Sequence, residues 1–82
     1  MQAKRNDPTM AQRAIVFQIL RDDHDERWSR AELEREVSDV EPLVVNDALA
    51  LLEGTGVVVV DGEIVQASPC ARHLDTLGLL SV

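Results

Sequence analysis

Cys70 and His73 stand in the spacing Cys-x-x-His, half of the pattern that closes a tetrahedral zinc site. Such a site needs four ligands, and the sequence offers one further histidine, His24, and no second cysteine. Residues 22–26 (Asp-Asp-His-Asp-Glu) supply carboxylates for a hard cation. No glycine among them turns the chain onto an ion, and hard cations gather six or more oxygens. This stretch reads as a solvated loop. Cys70 follows Pro69 at the expected start of a helix, where a thiol ionises most readily. As the single cysteine it excludes an internal disulfide, fits a reducing compartment, and reads as a small packing residue. Ser29 and Ser68 stand where helices begin and read as caps. Neither has a histidine placed to activate it. With no acid, base and oxyanion-binding group in evidence, the sequence points away from an enzyme, and no metal or cofactor is expected.

Charge says more than any single motif. The chain has 82 residues and a net charge of −7, enough for one small domain. Through residue 35 the signs balance. From residue 36 onward there are Glu36, Asp39, Glu41, Asp47, Glu53, Asp61, Glu63 and Asp75 against Arg72 alone. A phosphate backbone would be repelled by that part of the chain. Aromatics are limited to Phe17 and Trp28, so the core must be aliphatic. No apolar run approaches the ~20 residues that cross a bilayer, and the N-terminus has no signal-type apolar stretch. The expectation is a soluble, cytoplasmic protein without a membrane partner.

The elements that would position these residues follow from periodicity. Residues 1–8 are polar, aperiodic and end in Pro8, the pattern of a flexible arm before a domain spanning 9–82. Thr9 is placed to cap a first helix over 9–21, with Ala11, Ile15 and Ile19 on one face. Trp28 reads as a strand of one or two residues at the core edge. Ser29-Arg30-Ala31-Glu32 is a capping box opening a second helix over 30–37. Pro42 opens a third helix with Val45, Ala48, Leu49 and Leu52 inward, and Gly54 is its expected left-handed terminator. Two valine- and isoleucine-rich runs joined by Asp61-Gly62 predict a hairpin turning on those two residues. That turn pairs Val59 with Ile64 and Val58 with Val65. Ser68-Pro69 starts a last helix of about two turns, stopped by Gly78 and followed by an apolar tail, Leu79-Leu80-Ser81-Val82.

This order resembles a winged helix-turn-helix domain of the small bacterial transcription regulator type. The resemblance rests on Trp28-Ser29-Arg30-Ala31-Glu32-Leu33 as the entry to the helix-turn-helix. It rests also on the segment from Asn46 to Val57 as the exit of a recognition helix, and on the Asp61-Gly62 hairpin as the wing. It covers residues 9–67. The N-terminal domains of metal-uptake repressors are similar in order, but their metal ligands have no match here. The resemblance implies an α+β fold with a three-helix core, a two-stranded hairpin wing and a short C-terminal helix.

In such regulators the third helix enters the major groove and the wing touches the backbone. Carried over, the outward positions are Glu41, Leu43, Val44, Asn46, Asp47 and Ala50, of which Asn46 alone offers a standard base contact, to adenine. The wing tip is Asp61, Gly62 and Glu63. No Lys or Arg lies between Glu36 and Ala71. Basic residues for DNA come from elsewhere: Lys4 and Arg5 in the arm, Arg13, and Arg27, Arg30 and Arg35 around the second helix. Leu43, Val44, Val58, Val65, Leu79 and Leu80 exceed what so small a core readily absorbs, and mark a surface for a protein partner or a second copy. The functional expectation is therefore a winged-helix transcription regulator with weak or indirect DNA contact, disfavoured by charge. The alternative is a winged-helix protein-interaction module that does not bind DNA.

Overall fold

The computed structural model describes residues 8–80. In chain order it contains α1 (Pro8–Ile19), β1 (Trp28–Ser29), α2 (Arg30–Glu36), α3 (Pro42–Gly54), β2 (Val58–Asp61), β3 (Ile64–Ala67) and α4 (Pro69–Thr76). The fold is α+β, with four helices and a three-stranded antiparallel sheet in the order β1-β3-β2. The expected arm falls almost wholly outside the described residues, and with it Lys4 and Arg5; so do Ser81 and Val82 of the tail. Pro8 belongs to α1, and Thr9 lies inside its first turn instead of capping it.

The core is aliphatic around one indole. Ala11, Ile15, Val16 and Ile19 of α1 meet Val45, Ala48, Leu49 and Leu52 of α3, each set spaced for one helical face. Leu33 and Val37 close it from the α2 side, and Trp28, 1% exposed, fills it from β1. α2 begins as its sequence dictates. Glu32 N–H donates to Ser29 Oγ (3.0 Å) and Ser29 N–H donates to Glu32 Oε1 (2.9 Å), a complete capping box.

Two local expectations are corrected. α3 does not terminate on a left-handed Gly54, which is its last helical residue. Positive φ comes two residues later, at Gly56 (83°). Gly56 N–H donates to the Glu53 carbonyl (3.1 Å) and Val57 N–H to the Leu52 carbonyl (2.9 Å), which is a Schellman ending. α4 ends the same way at Gly78, as its sequence predicts, with bonds from Gly78 N–H to Asp75 and from Leu79 N–H to Leu74.

The hairpin turns on Gly62-Glu63 and not on Asp61-Gly62. Asp61 pairs with Ile64, Val60 with Val65, Val59 with Gln66 and Val58 with Ala67. Among the described residues only glycines have positive φ, and Gly62 (60°) is the one in this turn. That suits a type II′ turn, which needs glycine at its first central position and leaves the second free. Asp61 is thereby released into the strand. The sheet also exceeds the expected two-stranded hairpin, because β1 pairs with β3 through Trp28 opposite Val65 and Ser29 opposite Ile64. Val58 and Val65, expected on an outer face for a partner, are buried in the core at 2% and 0% exposure. Val59 and Ile64 face outward in their place. No helix among the described residues is long and apolar enough to cross a membrane.

Candidate functional site

Three elements converge on Arg30, the first residue of α2. Its backbone N–H donates to the Glu63 carbonyl (2.9 Å), prolonging the β1–β3 pairing into the hairpin tip. Its Nε donates to the Gly62 carbonyl (3.1 Å) and its Nη1 to Asn46 Oδ1 (3.1 Å). One guanidinium thus ties the tip of the hairpin to the outer face of α3. That face presents Leu43, Asn46, Asp47 and Ala50 to solvent, Leu43 being 77% exposed, while Val44 is half-buried against the core. Beside it the hairpin tip exposes Asp61, Gly62 and Glu63.

Of the residues expected to contact DNA the structure brings Arg30 and Asn46 together. Arg13 lines a groove between α1 and α2 with Phe17, Gln18 and Asp39, and Arg35 lines a second pocket with Arg21 and Trp28. Among the expected partner residues, Leu43 and Leu79 are exposed, the latter by 66%. Leu80 is half-buried and lines an apolar cavity of about 320 Å³ with Val16, Leu52, Val57 and Leu74. Cys70, expected to pack inside, is exposed at the rim of that cavity. Among the described residues no three His, Cys, Asp or Glu side chains gather as metal ligands would.

A second polar cluster was not anticipated. The acidic loop 22–26, expected to be simply solvated, folds His24 onto Trp28 with ring centroids 3.6 Å apart and planes 13° from parallel. His24 Nε2 lies 3.0 Å from Glu32 Oε2, and its Nδ1 lies 2.6 Å from the Asp25 carbonyl oxygen. Arg21 bonds Asp23 (2.8 Å) and Glu36 (2.7 Å), with its guanidinium 5.8 Å from the indole centroid. The pocket they enclose measures about 160 Å³. The Asp25 carbonyl, and then Glu32, hold the His24 pKa above its ordinary 6.5. The Ser29 N–H, and then His24, hold the Glu32 carboxyl below its ordinary 4.5. Trp28 Nε1 is buried with no hydrogen-bond partner among the described residues. The signal in the sequence was slight: a histidine four residues before the only tryptophan, across a loop whose path periodicity does not specify.

No family model, curated protein or solved structure significantly matches this chain.

Proposed function

We propose that this chain is a winged-helix module of the transcription-regulator type whose α3–hairpin edge meets a protein partner and not the DNA backbone. The element order supports the winged-helix part: helix, brief strand, helix, turn, helix and hairpin, with α3 in the place of the recognition helix and the β2–β3 hairpin as wing. The observation that carries the choice of partner is the state of Arg30. Among the described residues it is the one Lys or Arg bonded to this edge, and it is engaged with Gly62 and Asn46 while Asp47, Asp61 and Glu63 stand exposed around it. Specific DNA binders neutralise several phosphates, and this edge carries an excess of like charge. A bidentate contact to adenine also uses both ends of the asparagine amide. Arg30 already holds the oxygen end. Leu43, exposed on α3 one turn before Asp47, suits a partner that is both apolar and basic.

The second reading, weak DNA contact, draws on the exposure of both Arg30 side-chain bonds, which lets the guanidinium swing toward a phosphate. Fluorescence anisotropy of a labelled random duplex at low salt separates the two. The protein-contact reading expects no signal at roughly tens of micromolar protein, within the range of ordinary non-specific binding. Binding that weakens steeply with added salt replaces it with the second reading.

A further inference from the structure

We propose that His24 is an imidazolium latch: doubly protonated, it fastens loop 20–27 to Trp28 and to the N-cap of α2, and losing a proton releases one of its two hydrogen bonds. The argument is one of donors and acceptors. A neutral imidazole has one N–H and one lone pair. Here both ring nitrogens face oxygens that can only accept, the Asp25 carbonyl at Nδ1 and the ionised Glu32 carboxylate at Nε2. No neutral tautomer satisfies both contacts, because each places a lone pair against one oxygen at close range. The imidazolium satisfies both, and its positive charge lies over the indole face, where the ring quadrupole favours a cation.

The charged groups around the ring agree with this assignment. From the loop, Arg21 opposes a positive charge, but it is itself bonded to Asp23 and Glu36. From β1 the neighbour is the uncharged Trp28. From α2, Glu32 faces the ring directly, and Arg35 and Glu36 share the pocket wall with opposite signs. The proton also reaches further than the loop. Glu32 binds His24 through Oε2 while its Oε1 accepts the Ser29 N–H of the capping box. The next residue is Arg30, which holds the hairpin and α3 together. The latch therefore sits at the start of the segment that fixes the α3–hairpin edge, whatever that edge contacts.

Nitrogen-resolved NMR of the histidine ring, run on the intact chain from about pH 5 to about pH 9 together with Trp28 fluorescence, tests the proposal. At pH 6.5, where an unperturbed histidine is half neutral, both His24 ring nitrogens are expected to carry protons in most molecules. Trp28 is the only tryptophan. Its emission should rise as His24 loses its proton, since a stacked imidazolium quenches indole more than the neutral ring does. The Ser29 amide resonance should move with the same midpoint. In His24→Gln the fluorescence should stay flat across the range, which also separates His24 from His73. Glu32→Gln keeps a residue competent for the capping box and should lower the His24 midpoint. A single neutral tautomer dominating at pH 6.5 overturns the latch. So does a His24 titration that leaves Trp28 emission and the Ser29 amide unmoved. These wild-type readouts stand even if a variant folds poorly.

Discussion

Individual side chains in this protein carry more than their own packing. Ser29 is the clearest case, because its hydroxyl and its amide are both bonded to Glu32. Ser29→Ala should lower stability by about 1 kcal/mol in urea titrations, with helix content otherwise native. A change near zero would show that α2 is held by its packing alone. His24 adds a pH dependence whose sign follows from linkage. Its pKa is raised in the folded state, so its stabilising contribution is complete below about pH 6.5 and fades as pH rises through the folded value. His24→Gln should therefore cost stability at about pH 6 and little at about pH 9. The opposite order would contradict the imidazolium assignment. Arg30 was legible as a basic residue near a helix start. Its engagement with Asn46 and Gly62 was not, because those partners lie sixteen and thirty-two positions along the chain, on α3 and at the hairpin tip.

Elements whose definition is local were readable from the sequence, and those decided by a competition between neighbours were not. The capping box of α2, Pro42 at the start of α3 and the Gly78 stop of α4 each occupy a few adjacent residues with one reasonable arrangement. The sequence pointed to Gly54 as the α3 terminator and to Asp61-Gly62 as the turn, whereas positive φ falls on Gly56 and the turn on Gly62-Glu63. In both, a single choice of glycine conformation shifts the outcome by one or two residues. Valine on both faces of β2 gave no contrast to mark the inner one, and pairing of β3 with β1 behind Trp28 decides it. Substitutions test these assignments by sign. Gly54→Ala should stabilise by about 0.5–1 kcal/mol, since the site is helical and open. Gly56→Ala should destabilise by about 1 kcal/mol, because positive φ strains a Cβ even where space is free. Reversed signs would place the terminator at Gly54. Within the hairpin, Val65→Ala should cost about 2 kcal/mol and Val59→Ala about 0.5 kcal/mol or less, as judged by thermal or urea unfolding. Equal costs would contradict the burial of one face.

At the scale of the whole molecule, shape and charge point in different directions. Packing of α1 against α3, closed by a sheet, sets α3 and a hairpin side by side, the placement on which the proposed winged-helix reading rests. Three carboxylates of the charge excess from residue 36 onward, Asp47, Asp61 and Glu63, stand exposed at that same edge. The sequence made the element order and the charge visible separately, and the structure adds that, among the described residues, the one guanidinium bonded to this edge is engaged by Gly62 and Asn46. If charge alone withholds DNA, then changing the sign should confer binding without changing the fold. The most direct measurement is duplex-DNA anisotropy on the wild type beside the variant Asp47→Lys, Asp61→Lys, Glu63→Lys, across a salt series. The account predicts a silent wild type and a variant that binds at about micromolar concentrations with an affinity falling steeply as salt rises. A wild type that binds as tightly as the variant, or a natively folded variant that stays silent, would contradict it.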